Sequence, residues 1–127
     1  MHTLISITRF PYASSTIHFG NLVASAFDSN LTLMTVRPKK SERDAGSATL
    51  AKARDSLPEP PADHILRRGV ADTQILDEIH TGKYDLLVIG AREHRGSAGE
   101  MLLGDVTHTV VKRTTISALV VLSLIHI

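Results

Sequence analysis

Tyr84-Asp85-Leu86-Leu87-Val88-Ile89, closed by Gly90, is the segment with the sharpest character in the chain. From Leu86 to Ile89 no polar residue alternates with the apolar ones, so a strand here buries both faces. That condition belongs to a parallel sheet with helices on either side. Parallel neighbours need crossover connections, and the flanking sequence supplies them in both directions.

Upstream, Asp72 can cap a helix carrying Ile75, Leu76 and Ile79, which Thr81-Gly82-Lys83 closes. Before it, His64-Ile65-Leu66-Arg67 reads as a short strand, and Pro58, Pro60 and Pro61 form a linker that cannot be helix interior. Residues 41–57 are polar, with Ala45, Leu50, Ala53 and Leu57 on one helical face. Leu31–Val36 is a strand behind the turn Asp28-Ser29-Asn30. Ser14 and Ser15 can cap a helix whose stripe is Ile17, Phe19, Leu22, Val23, Ala26 and Phe27. Leu4-Ile5-Ser6-Ile7 is the first strand.

Downstream, Gly90 to Gly104 is a glycine-rich, loop-like stretch with a short apolar piece, Met101-Leu102-Leu103. A helix follows from Asp105, with Val106 and Val110 inward and Lys112 and Arg113 near its negative end. Ile116–Val121 is the last strand. Strands and helices therefore alternate throughout, the order of a doubly wound α/β sheet. Such sheets bind ligands at the carboxyl ends of the strands, where strand order reverses.

Composition narrows the function classes. The chain has 127 residues, 43% hydrophobic and 21% charged, which suits one globular domain. Its 14 Lys+Arg nearly balance 13 Asp+Glu, which argues against a dedicated nucleic-acid or membrane-surface binder. There is no Cys, hence no disulfide, thiol nucleophile or thiolate metal site. Met1-His2-Thr3 does not open a secretory signal, and no apolar run spans a bilayer, so a cytoplasmic domain is expected. The seven His residues show no metal-ligand spacing. No Walker A loop, dinucleotide fingerprint or G-x-S-x-G elbow occurs, and no residue stands out as catalytic.

Three segments together carry a resemblance. They are Arg68-Gly69-Val70-Ala71-Asp72 running through Tyr84–Gly90, Leu102-Leu103-Gly104-Asp105-Val106-Thr107 with Val110-Val111-Lys112-Arg113, and Ser117–Val121. Over about residues 3–121 the chain resembles a universal stress protein domain. The resemblance implies a three-layer, five-stranded parallel sheet in the order 3-2-1-4-5, with helices on both faces. It also implies a homodimer, for which the apolar fifth strand, Ile116–Val121, is the expected interface. The domain is taken as residues 1–121. Leu122–Ile127 matches the translation of a common sequencing-adapter end and is expected to be a foreign tail; the plainer reading is a continuation of the last strand.

The family's nucleotide-binding branch carries G-x2-G-x9-G-[S/T], in which glycines let backbone N–H groups approach phosphate. Here Gly90 and Gly104 match the first and last glycines. Glu93 replaces the second glycine, the spacing is one residue longer, and Asp105 replaces the terminal hydroxyl residue. Gly96 and Gly99 lie off register. Asp105 suits an N-cap, but its charge then occupies the anion site. Arg92, His94 and Arg95 could hold an anion by side chains; the plainer reading is a solvated loop. The family's Asp at the end of the first strand is Thr8 here, followed by Arg9. Val36, Ile89, Val106 and Thr107 match positions that line the nucleotide in the family. The walls are kept while the phosphate cradle departs from the pattern.

Three readings follow. The first is a regulatory or ligand-binding domain without turnover, taking ATP, AMP or a nucleoside weakly. The second is a slow ATP hydrolase with Asp105 on Mg2+, for which the loop completes no site. The third is a structural or accessory module whose ligand site is lost. Restoring Glu93→Gly and Asp105→Ser discriminates a broken cradle from a closed pocket.

Overall fold

A computed structural model describes residues 1–92, 94–95, 101–102 and 104–123. The elements run β1 (His2–Ile7), α1 (Tyr12–Ala26), β2 (Asn30–Arg37), α2 (Arg43–Asp55), β3 (Asp63–Arg68), α3 (Ala71–Thr81), β4 (Leu86–Arg92), β5 (His94–Arg95), β6 (Met101–Leu102), α4 (Asp105–Arg113) and β7 (Ser117–Ser123). Five strands form one sheet in the order β3-β2-β1-β4-β7, and every pairing in it is parallel. This is the expected 3-2-1-4-5 order, with β7 in fifth place. The chain winds outward from β1 to β3, then crosses back to β4 on the other side of β1. The switch point therefore lies between β1 and β4.

Successive residues of the inner strands enter two different cores. Ile5, Ile7, Leu33 and Val88 pack with Ala13 and Ile17 of α1 and with Leu50 and Ala53 of α2. Leu4, Met34, Leu87 and Ile89 pack with Ile75 and Ile79 of α3 and with Val110 of α4. Helices on both faces are the physical reason the central strands read as unbroken apolar runs.

The first helix differs from its sequence reading. It starts at Tyr12 with Pro11 before it and no side-chain cap, so Ser14 and Ser15 lie in its first turn. Its buried residues are Ala13, Thr16, Ile17, Gly20 and Ala24. Phe19, Leu22 and Phe27 are instead 49%, 51% and 64% exposed. The cause is close packing: a Cβ on Gly20 would stand 2.6 Å from Ile5 Cδ1 and 3.2 Å from Val88 Cγ1. At Gly20 only a hydrogen fits beneath this helix, and Phe19, Leu22 and Phe27 turn outward.

Smaller corrections have similar causes. Gly46, not Ala45, faces the sheet from α2. Val70 precedes α3 as its N-cap; Asp72 lies in the first turn, and its Oδ1 accepts the Thr73 amide at 2.8 Å. Gly104 is the N-cap of α4, with Asp105 in the first turn. Val106 is 38% exposed, while Thr107 and Val110 are buried. The stretch after Gly90 is not all loop: β4 runs on to Arg92, and β5 pairs antiparallel with β6.

Candidate functional site

The carboxyl rim at the switch point collects the residues picked out in the sequence. Thr8 and Arg9 follow β1 directly and are exposed, and the Arg9 carbonyl accepts the Ala13 amide of α1 at 2.9 Å. The Thr8 carbonyl accepts Arg37 Nη2 at 3.1 Å, and Thr35 Oγ1 donates to the Ile7 carbonyl at 2.8 Å. These bonds bind the end of β1 to the end of β2. Val36, the penultimate residue of β2, is half-buried on the α3/α4 face, the face that Ile89 shares.

Gly90 lies between two threonines. A Cβ there would stand 2.5 Å from Thr16 Oγ1 of α1. Its carbonyl accepts Thr107 Oγ1 at 2.9 Å. The need for glycine is therefore explained by the close approach of α1 to β4. Thr107 is buried, and its hydroxyl is committed to the backbone.

At the start of α4, Gly104 is exposed with nothing within 4 Å of a Cβ built on it. Asp105 is exposed beside it, its carboxylate in the first turn of α4 where it complements the helix dipole. The same carboxylate disfavours an anion at that helix start. Glu93, Gly96 and Gly99 lie outside the described residues, and of Arg92, His94 and Arg95 only the backbone is described.

The rim thus unites Thr8, Arg9, Val36, Ile89 and Gly90 with the start of α4. Arg37 was missed by sequence reading. Its signal was the terminal position on β2, next to Val36. The contrast with Arg67 shows its state. Arg67, at the end of β3, pairs with Asp77 at 2.8 Å and with Glu78 at 2.9 Å. Its Nη1 also donates to Gln74 Oε1 at 3.0 Å. Burial works against the Arg67 cation, but the bonds to Asp77 and Glu78 outweigh it and hold the pKa above its usual value. Among the described residues no carboxylate pairs with Arg37.

A groove of about 450 Å³ lies at the opposite, amino rim, lined by Asn21, Ser25, Asp28, Leu57 and Pro58 among others. It joins helix ends to the proline linker and includes none of the switch-point residues. Among the described residues no group of three or more His, Asp or Glu side chains is placed to hold a metal ion. No helix among them is long and apolar enough to cross a membrane.

The sheet order defines a doubly wound α/β domain whose strand order reverses between β1 and β4. The model of the universal stress protein family matches residues 16–121, and the chain belongs to that family. Among solved structures it is similar to a universal stress protein from Archaeoglobus fulgidus, with a TM-score of 0.82 at 18% identity, covering 95% of this chain and 98% of that one. A universal stress protein from the same organism in complex with dAMP gives 0.75 at 16% identity, covering 95% and 97%. A universal stress protein in complex with cAMP gives 0.77 at 21% identity, covering 94% and 96%. These identities speak for the fold. No curated protein matches the chain.

Proposed function

We propose that this chain is a non-catalytic regulatory domain that binds an adenine nucleotide, ATP or AMP, at the carboxyl rim between β1 and β4. The observation that carries the reading is the convergence of Val36, Ile89 and Gly90 with the start of α4, at the reversal of strand order. Structures of similar fold that hold dAMP or cAMP support it. Asp105 and the altered glycine spacing weaken the backbone phosphate cradle, so the walls carry more of the affinity than the loop does. Thr8, Arg9, Arg92, Gly104, Val106 and Thr107 complete the assignment of the site. Glu93 lies in the loop that an intact cradle would use.

The same reading makes the protein a cytoplasmic homodimer that pairs through Ile116–Val121. The β7 edge supports it, because Ser117–Ser123 contains no charged residue, whereas the opposite edge strand, β3, carries Asp63, Arg67 and Arg68. Calorimetric titration with adenosine, AMP and ATP, each with and without Mg2+, tests the ligand assignment. Binding of adenosine or its nucleotides supports it. Silence with all three overturns it and leaves the structural-module reading.

A further inference from the structure

We propose that the carboxyl rim holds the anionic group of its ligand with arginine side chains, Arg37 as the anchor and Arg68 beside it, in place of a backbone cradle at α4. This rests on the reading of the rim as a nucleotide site. The ligand class is a phosphomonoester or polyphosphate, as on a nucleotide.

Arg37 is the last residue of β2 and Arg68 the last of β3, and the two are register partners. Register partners in neighbouring strands send their side chains to the same face. Arg37 Nη2 is held by the Thr8 carbonyl at 3.1 Å and by Thr49 Oγ1 at 2.9 Å. Its Nε is buried and has no acceptor among the described residues. A buried guanidinium donor without a partner, on a cation without a carboxylate, is an unusual cost for a fold to carry. It is relieved when an anion supplies the missing charge. Arg67, one residue before Arg68, shows the alternative: two carboxylates pair with it on the other face.

The position matters as much as the charge. Arg37 grips the carbonyl of Thr8, the first residue beyond β1, from the β2 side, one strand from the switch point. Arg9 follows and is exposed. Arginine thus stands at or just past the carboxyl ends of β1, β2 and β3. The carboxyl side carries the acids Glu42, Asp44, Asp72 and Asp105, and none of them forms an ion pair with Arg37 or Arg68. Asp105 repels an anion from the α4 start, while Arg37 and Arg68 attract it toward β2 and β3. Arginine suits phosphate because its planar fork can donate two parallel hydrogen bonds.

The test is calorimetric titration of the full chain and of Arg37→Gln, Arg68→Gln and Asp105→Asn with adenosine, AMP and sodium tripolyphosphate. Circular dichroism and thermal melts confirm that each variant folds; Arg68 is exposed, so its variant guards against a folding defect at Arg37. AMP is expected to bind the wild type about tenfold more tightly than adenosine, and each arginine variant to lose about three- to tenfold in AMP affinity with adenosine unchanged. Asp105→Asn is expected to change AMP affinity by less than about threefold, since the anion lies away from α4. Adenosine binding with no gain from the phosphate overturns the arginine proposal and leaves the nucleoside site standing. Folded arginine variants that bind AMP like the wild type also overturn it. Tripolyphosphate binding that both arginine variants abolish, with no adenosine binding, supports the arginines and overturns the adenine assignment. Absence of binding by all three ligands overturns both.

Discussion

Thr107 Oγ1 donates a 2.9 Å hydrogen bond to the carbonyl of Gly90, tying the first turn of α4 to the end of β4. This bond holds the start of α4 against the end of β4, beside the proposed site. Thr107→Val keeps the volume and removes the donor, leaving a part-buried carbonyl with one partner fewer. The expected loss is about 1–2 kcal/mol of stability. Urea denaturation measures it, and an unchanged midpoint would show that the bond carries no net energy.

Gly90→Ala tests the opposite side of the same residue. The new methyl would stand 2.5 Å from Thr16 Oγ1, so α1 must shift away from β4. Overpacking of this kind costs about 1–3 kcal/mol. Thr16→Ala in the same chain removes the colliding oxygen and should recover part of that loss. A double-mutant cycle from thermal melts reads the coupling, and strictly additive effects would mean the clash is relieved elsewhere.

Arg67 and Glu78 form a largely buried pair beneath α3, where Glu78 also accepts Tyr84 Oη at 2.7 Å. Arg67→Gln leaves the Glu78 carboxylate without its cation. A loss of about 2–4 kcal/mol is expected, near the cost of stranding a buried charge. Arg67→Met combined with Glu78→Leu removes both charges and should cost less than Arg67→Gln alone. If the double variant is the weaker of the two, the pair contributes attraction beyond its desolvation cost.

Burial first, then the hydrogen bond to Glu78, pushes the Tyr84 phenol up to about 12. The folded state therefore favours the neutral phenol. Its contribution to stability is whole below the ordinary tyrosine value of about 10. It is lost as pH rises through about 12. Urea midpoints should fall across that interval in the wild type and fall less in Tyr84→Phe. Absorbance of tyrosinate should show one phenol ionising near 12. Equal pH slopes in the two proteins would contradict this account.

Ser117, the first residue of β7, is exposed on the uncharged edge strand. Ser117→Lys places a charge at the proposed dimer edge without entering the core. Sedimentation should show a wild-type dimer and a variant shifted to monomer. A wild type that sediments as a monomer at about 100 μM removes the β7 pairing altogether, since a dimer weaker than that has no stable interface.

Period and run length by themselves determined the alternation of strands and helices and the parallel sheet, while Arg68–Asp72, Leu102–Thr107 and Ser117–Val121 carried the family resemblance. Leu86–Ile89 can be buried on both faces only between two helical layers, so the class follows from four adjacent residues. Val36, Ile89 and Gly90 were legible as rim residues because strand ends are local features. Only the tertiary structure decided which face of α1 turns inward, because Gly20 and Ala24 carry almost no hydrophobic weight and face the sheet through closeness alone. It also assigned Gly90 a packing role, since Thr16 and Thr107 reach it from distant elements. Arg37 and Arg67 look alike in sequence, each at a strand end. The partners brought by folding separate them: Asp77 and Glu78 neutralise one, while the other keeps a buried donor without an acceptor. Charge pairing is a long-range property, and no local pattern encodes it.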